Sequence, residues 1–241
     1  TAALTGLGAT AILMVLVWAA SLVQRDASLV DRFWGLAFIV LAWLWTFLPG
    51  SMGTARWILP ALVTVWGLRL SLYITWRNWG EGEDPRYAAM REKHPDTFPL
   101  RSVVTVFLLQ GLLAWIIAAP FFAFARDPSP PNSGILGAGL MCWVFGMVFE
   151  AGGDWQLLRH RADPEKRGTV LDAGLWHYTR HPNYFGDALL WWGYGLMAGS
   201  VGAWWTVVGP ALMTFLLVKV SGVALLEKSL EDTKPKYRDY V

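Results

Sequence analysis

The residues with the clearest potential for chemistry lie in the segment Arg180–Asp187, which reads RHPNYFGD. Pro182 suits the first position of a helix, because its fixed φ is helical and the N–H that it lacks would have no partner there. Four side chains then recur on one helical face: Asn183, Asp187, Trp191 and Tyr194. An amide and a carboxylate at the mouth of an apolar helix would be costly against lipid, so we expect a polar cavity or a ligand beside them. The alternative is structural, with both groups only satisfying the helix start.

A second polar stripe precedes this segment. Glu150, Asp154 and Arg161 are spaced i, i+4 and i+11, and Arg159 lies beside them. Such a group can be a structural ion-pair network, but its closeness in sequence to RHPNYFGD favours a shared site. The loop at residues 77–101 adds further candidates: Arg77, Asn78, Glu81, Glu83, Asp84, Arg86 and Tyr87. Guanidinium groups bind phosphate in a bidentate way, so several arginines together indicate a phosphate-bearing ligand, although each alone could be a solvated charge.

Two more features fall within apolar segments. Four residues share one face of the third apolar run: Arg69, Tyr73, Trp76 and Arg77. We expect Arg69 to line a cavity rather than extend to the membrane surface. Asp31 begins the second apolar run, close before Trp34. It is either an acid that stabilises the first helical turn or a proton donor in an apolar pocket.

The composition predicts that these residues belong to a membrane protein. Hydrophobic residues make up 55% of the 241 residues, 16 are Trp, and only 16% are charged, which is too apolar for an ordinary soluble domain. The formal net charge of +2 and the absence of a basic helix face argue against a nucleic-acid partner. The four His and the single Cys have no metal-binding spacing, so no metal site is expected.

Long apolar runs, each able to cross a core of about 30 Å, must position the candidate residues. They lie near residues 2–23, 33–48, 57–76, 102–124, 134–158, 184–199 and 202–226. The alternate connections at residues 24–32, 77–101, 159–183 and 227–241 hold 2, 5, 5 and 4 Lys or Arg, respectively. By the positive-inside rule, the N-terminus is outside and the C-terminus cytoplasmic. The sequence therefore predicts an all-α integral membrane protein with about seven transmembrane helices in one domain over residues 1–241.

The motif RHPNYFGD resembles the C-terminal signature of the steroid 5α-reductase and sterol reductase superfamily. The longer segment GLWHYTRHPNYFGDALLWWGYGL, the upstream FEAGGDWQLLRHR and the loop WRNWGEGEDPRY are similar to bacterial members of the DUF1295 type. The closing LLEKSL with Tyr237 and Tyr240 extends the resemblance, and SLVDRFWG matches loosely. The resemblance implies an NADPH-dependent reductase of a carbon-carbon double bond in an apolar, steroid-like enone. A bacterial inner membrane is the expected location, and the orientation derived from the charges independently puts the expected cofactor site on the cytoplasmic side.

The resemblance also assigns roles to individual residues. The positions that hold NADPH in the superfamily are matched here by Asp154, Arg161, Asn183 and Asp187, and Tyr184 lies in the same motif. Other residues fall in segments that approach the cofactor: Arg159, Arg180, Arg77, Asn78, Arg86 and Tyr87.

The catalytic residues are inferred from a less complete match. The eukaryotic steroid reductases of the superfamily carry a Gln-Glu pair on the second span and a Tyr on the third. Asp31 lies near the acidic position, and Tyr73 is the tyrosine nearest to the other one. The expected roles are therefore catalysis for Asp31 and Tyr73, and substrate contact for Trp34 and Arg69.

Two other classes of function remain open. Isoprenylcysteine and phospholipid methyltransferases share an RHPxYxG element and bind S-adenosylmethionine at that corner. The Asn and Asp of HPNYFGD and the arginines suited to an adenosine phosphate favour the reductase over this alternative. A transporter or scaffold would use the same polar residues only as anchors at the membrane surface.

Overall fold

The computed structural model describes residues 2–50, 54–166 and 168–220. These residues form helices and connecting turns, and the chain divides into two compact units at residues 1–130 and 131–241. The all-α prediction is therefore confirmed for the described part of the chain. The single domain over residues 1–241 stays a prediction.

The first unit contains four long helical segments and three shorter helices. The long segments are α1 (Ala2–Gln24), α2 (Leu29–Phe47), α3 (Ile58–Arg77) and a continuous stretch made of α5 (Phe98–Ser102), a π-helical segment (Val103–Leu108) and α6 (Leu109–Ile117). The shorter helices are a 3-10 turn (Thr54–Trp57), α4 (Pro85–Lys93) and α7 (Ala119–Arg126). Of these, α4 lies in the polar loop between two apolar segments.

Helices α2 and α3 approach closely at a pair of glycines. A Cβ atom added to Gly35 would lie 2.5 Å from the carbonyl oxygen of Gly67, and one added to Gly67 would lie 2.7 Å from that of Gly35. Small residues let two backbones come this close and gain dispersion contacts, as is common between membrane helices. The contact fixes α2, and with it Asp31 in its first turn, against α3.

The second unit is built around two long helices, one that begins after an Asn cap and one that begins with a Pro. Its elements are α8 (Ser133–Ala162), a 3-10 turn (Pro164–Lys166), α9 (Leu175–Tyr178), α10 (Pro182–Gly199), a 3-10 turn (Trp204–Val207), α11 (Val208–Phe215) and a π-helical segment (Leu216–Val220). The Asn132 side chain caps α8 by accepting the Ile135 N–H at 3.1 Å. Pro182 begins α10, as the sequence predicts.

Glycines also set the contact between α8 and α10. Gly146 and Gly153 on α8 are seven residues apart, as are Gly186 and Gly193 on α10. A Cβ atom on Gly146 would lie 2.6 Å from the Gly186 carbonyl oxygen, and one on Gly193 would lie 2.8 Å from that of Gly139. The two backbones therefore touch along several turns, which brings the polar residues of α8 and α10 together.

The structure confirms a membrane architecture and revises some boundaries. Five helical segments of the described residues are long and apolar enough to cross a membrane: Ala2–Gln24, Leu29–Phe47, Ile58–Arg77, Phe98–Ile117 and Ser133–Ala162. The fourth run, predicted over 102–124, instead ends at Ile117, and a separate helix with Pro120 in its first turn follows. The run near 184–199 corresponds to α10, and the run near 202–226 contains the shorter apolar stretch Trp204–Val220, while its residues 221–226 lie outside the described part of the chain. The count of about seven and the orientation stay predictions.

Exposed apolar side chains on these helices agree with a lipid environment. Along α1, Leu4, Ile12, Leu16 and Val23 are between 62% and 85% exposed. A continuous apolar face of this kind is not stable in water and is typical of a membrane surface. We therefore describe the protein as an integral membrane protein.

Candidate active site

Asp31 lies in the first turn of α2 and accepts hydrogen bonds from two residues of α4. The Tyr87 hydroxyl donates to Oδ1 at 2.8 Å, and the Arg86 Nη2 donates to Oδ2 at 2.8 Å. A carboxylate accepts both of these contacts. In this pair the phenol is the donor and Asp31 the acceptor, whereas the sequence analysis considered Asp31 itself as the donor.

Helix α4 begins next to Asp31 with a capped N-terminus. The Asp84 side chain accepts the backbone N–H of Arg86 at 2.9 Å, and Pro85 occupies the first helical position. Arg86 also donates through Nε to Asp84 at 2.9 Å, so its guanidinium bridges Asp84 and Asp31. The hydrogen bond to Asp84, together with the charge of Asp31, raises the pKa of Arg86 above its usual value. Arg86 is therefore a permanent cation in this cluster.

Tyr87 is the most buried member of the cluster, with 7% of its surface exposed. Its oxygen accepts a hydrogen bond from Gln110 Nε2 of α6 at 3.2 Å while its proton points to Asp31. Burial raises the pKa of Tyr87 well above its ordinary value, and the charge of Asp31 raises it further. Tyr87 therefore keeps its proton at neutral pH and can donate a hydrogen bond.

Glu83 ties the same loop to the turn between α1 and α2. Its carboxylate accepts the Ala27 N–H at 2.7 Å and two hydrogen bonds from Arg91, at 2.7 and 2.9 Å. Burial acts to raise the pKa of Glu83, but these hydrogen bonds and the charge of Arg91 outweigh it and hold the pKa below its usual value. Glu83 is therefore ionised at neutral pH, and it fixes α4 against the start of α2.

Trp34 lies close after Asp31 on α2 and begins an aromatic cluster in the first unit. It packs edge to face on Phe38, with ring centroids 5.2 Å apart, and Phe38 in turn contacts Trp66 and Phe121. Phe38, Trp66 and Phe121 are fully buried, whereas Trp34 is only partly so. Trp34 therefore stands at the edge of an apolar core, beside the polar cluster of Asp31.

The Tyr73 ring lies between two cations of α3. The guanidinium of Arg69 is 5.3 Å from its ring centroid and that of Arg77 is 5.5 Å away. Arg77 also donates to the Asn78 side chain at 3.1 Å. The phenol that contacts Asp31 is thus on α4, and the assignment of a catalytic role to Tyr73 stays a prediction.

In the second unit, the central contact joins α8 to α10. Asn183 Nδ2 donates to Asp154 Oδ1 at 3.0 Å, and Asp154 is 7% exposed. The other end of the same amide accepts the Tyr184 N–H at 3.1 Å, which satisfies one of the free donors of the first helical turn. Asn183 therefore serves the helix start and the acidic group on the neighbouring helix at the same time.

Further polar residues continue along this helix pair. Glu150 is 3% exposed, four residues before Asp154, and Asp187 is half-buried on α10. Deeper in the pair, the buried Trp143 indole donates to the Tyr194 hydroxyl at 2.9 Å. The polar face that the sequence predicts on α10 thus contacts α8 through Asn183 and Tyr194, as expected for polar groups that avoid lipid.

Exposed arginines surround the end of α8 and the start of α10. Arg159 lies with its guanidinium 4.9 Å from the centre of the Trp155 ring, and Arg159, Arg161 and Arg180 are all exposed. These cations are accessible to a phosphate-bearing ligand. Among the described residues, no group of three or more His, Cys, Asp or Glu side chains could hold a metal ion.

Comparison with known proteins identifies the family. The family described as a protein of unknown function, DUF1295, matches residues 17–241. The chain belongs to the DUF1295 family. An uncharacterised protein from Schizosaccharomyces pombe is 26% identical over 98% of this chain and 76% of its own length. No solved structure gives a significant match.

Two steroid enzymes resemble part of this DUF1295 member. The 3-oxo-5-alpha-steroid 4-dehydrogenase 1 of Homo sapiens is 34% identical over 91 residues, which cover 37% of this chain and 32% of the human protein. The enzyme of the same name from Macaca fascicularis matches to the same extent, over 31% of its length. The chain thus spans about a third of these two relatives. The resemblance to the steroid 5α-reductase superfamily is confirmed.

One contributor to the Asp31 cluster, Gln110 of α6, is missed in the sequence analysis. Gln110 lies alone in an apolar run, and a lone amide within a membrane span needs a polar partner, so a signal for it existed. Glu83 is among the candidates of the loop, but only the packing of the folded chain distinguishes it from the neighbouring acids.

Proposed function

We propose that this protein is an NADPH-dependent reductase of a carbon-carbon double bond in an apolar enone, with a 3-oxo-Δ4-steroid-like lipid as its substrate class. The observation that carries the proposal is the 34% identity to 3-oxo-5-alpha-steroid 4-dehydrogenase 1 over 91 residues. The buried contact between Asp154 and Asn183, on positions that match the superfamily's cofactor site, supports it. The reaction would belong to lipid or steroid metabolism in the membrane.

The residues of the second unit fit the chemical groups of NADPH. Exposed guanidinium groups suit its phosphates: Arg159, Arg161 and Arg180. Asp154 and Asn183 offer an acceptor and an amide for hydroxyl and carboxamide groups, and Tyr184 and Asp187 follow on the same helix. When bound, NADPH supplies the hydride. Arg77 and Asn78, at the end of α3, are further candidates for its polar groups.

The acid that an enone reduction requires is proposed to be the pair of Asp31 and Tyr87. The carbonyl oxygen gains negative charge as its β-carbon is reduced, and a positioned donor stabilises that charge. Tyr87 carries the proton: its single O–H donates to Asp31 in the structure and would turn from Asp31 to the carbonyl oxygen of a bound enone, while Arg86 balances the charge of Asp31. Arg86 and Tyr87 are thus reassigned from the cofactor to the acid. Trp34 and Arg69 remain candidates for contact with the substrate.

The location of the protein follows from the same proposal. Most Lys and Arg residues lie in alternate connections, which favours a cytoplasmic side for the loops at residues 77–101 and 159–183. NADPH is available on that side, and an apolar substrate can enter from the bilayer. We therefore propose a bacterial inner membrane with the cofactor residues facing the cytoplasm.

Ligand-dependent stabilisation tests the proposed cofactor. The detergent-purified protein is heated with NADPH, with NADH or with S-adenosylmethionine, and the melting temperature is measured. We expect NADPH at about a hundred times its dissociation constant to stabilise the fold by about 2.7 kcal/mol, and S-adenosylmethionine to leave the melting temperature unchanged. Stabilisation by S-adenosylmethionine alone would contradict the reductase and support the methyltransferase.

A further inference from the structure

The loop before α10 is attached to α8 through Trp176 of the short helix α9. The Trp176 indole N–H donates to the Gly153 carbonyl oxygen at 3.1 Å, and only 7% of the Trp176 surface is exposed. Within a helix, the carbonyl of Gly153 already faces the N–H four residues later. The indole N–H is therefore a second donor to this carbonyl oxygen. The carbonyl belongs to the residue directly before Asp154 in the chain.

A second hydrogen bond holds the residue next to Trp176. Gln156 Oε1 accepts the Leu175 N–H at 3.0 Å. Gly174, just before it, has a φ of 65°, which an L side chain rarely adopts. A Cβ atom at Gly174 would also lie 2.5 Å from Gln156 Nε2. The backbone turns sharply here so that Gln156 can reach the start of α9.

The carbonyl that Trp176 contacts belongs to the turn of α8 against which α10 begins. A Cβ atom on Gly153 would lie 3.0 Å from the Asn183 backbone nitrogen and 3.0 Å from Pro182 Cγ. Only residues 179–181 separate α9 from α10. Holding Trp176 on Gly153 thus limits where Pro182 and Asn183 can lie relative to Asp154.

We propose that Trp176 and Gln156 are positioning residues that keep Asn183 in register with Asp154 and so set the affinity for the cofactor. Neither is required to touch the cofactor. The inference rests on the proposed NADPH-dependent function, but its structural part concerns the α8–α10 contact alone. Its consequence is that loss of the indole N–H weakens cofactor binding without unfolding the helix pair.

The test is Trp176→Phe, with Trp192→Phe as the matched control. Trp192 lies on α10 and donates to Thr214 at 3.2 Å, so the control also removes one indole N–H bond. We expect Trp176→Phe to raise the dissociation constant of NADPH about tenfold, since a net hydrogen bond contributes on that order. We expect the control to change it less than about twofold. Without ligand both variants should remain folded, with Trp176→Phe melting somewhat lower than the control, because Trp176 is 7% exposed and Trp192 is 40% exposed.

A second pair of variants and a ligand-free measurement keep the two proposals apart. Gln156→Leu removes the acceptor of the Leu175 N–H and should weaken NADPH binding, whereas Gln156→Glu retains an oxygen there and should restore it. Hydrogen exchange of the amides at residues 183–187, measured without NADPH, should be faster in Trp176→Phe than in the control. Unchanged exchange in Trp176→Phe would overturn the positioning role whatever ligand binds. If exchange is faster in Trp176→Phe but the wild-type protein does not bind NADPH, the attachment of the loop through Trp176 stands and the proposed function is rejected.

Discussion

Asp31→Asn should lower the turnover of an enone by roughly a hundredfold to ten-thousandfold, the range that one positioned acid-base group contributes. The amide can still occupy the site, but it lacks the charge that orients the Tyr87 hydroxyl and pairs with Arg86. NADPH binding should stay within about twofold of the wild type, because the main cofactor residues are proposed on α8 and α10. The check is a steady-state rate measured beside a direct NADPH titration.

Asp84→Asn is the control for this result. It also removes a carboxylate from Arg86, but it retains an N-cap, and the Asp84 side chain is not a partner of the Tyr87 hydroxyl, which bonds to Asp31 and Gln110. Tyr87→Phe should reproduce the loss seen in Asp31→Asn. Equal losses in Asp84→Asn and Asp31→Asn would show that the ion pair only docks α4, and full turnover in Asp31→Asn would remove Asp31 from the mechanism.

Gly186→Ala is expected to destabilise the second unit by about 1–3 kcal/mol, the usual effect of overpacking a close contact. The added methyl group would lie 2.5 Å from the Gly146 carbonyl oxygen, and backbone atoms cannot move aside without separating α8 from α10. The same separation would pull Asn183 away from Asp154, so NADPH binding should fall together with stability. Thermal unfolding and NADPH titration of the same sample measure both effects.

Gly137→Ala provides a comparison on α8. A Cβ atom there would have no neighbour within 4 Å, so the variant should be neutral or slightly more stable, because Ala favours a helix over Gly by about 1 kcal/mol. A stable Gly186→Ala protein with normal NADPH binding would show that the close packing of α8 on α10 is not needed.

Hydrophobic runs and one start signal predict much of this architecture. The apolar stretch near 2–23 and the position of Pro182 correspond closely to α1 and α10. The fourth run is misjudged because Pro120 and its neighbours are as apolar as the helix before them, so hydropathy alone does not reveal the break after Ile117. The glycines at seven-residue spacing carried a packing signal that the sequence analysis did not use.

Candidate residues were easier to identify than their partners. Asp154 and Asn183 could be singled out because polar groups at membrane depth need a reason to be there. That Tyr87 rather than Tyr73 would contact Asp31 could not be read from the sequence, since 56 residues separate Asp31 from Tyr87. Only the docking of α4, through Glu83 and the turn before α2, brings that phenol to the carboxylate.

The most direct test of the reductase is transfer of hydrogen from the cofactor to an enone. The purified protein, reconstituted in lipid, is incubated with a 3-oxo-Δ4-steroid and NADPH that carries deuterium at both C4 positions. The account predicts a saturated product that has gained one deuteron at the β-carbon and one proton from solvent, with an equivalent amount of NADP⁺ formed. Unchanged steroid and NADPH, together with methyl transfer from S-adenosylmethionine to a lipid acceptor in a parallel sample, would contradict it.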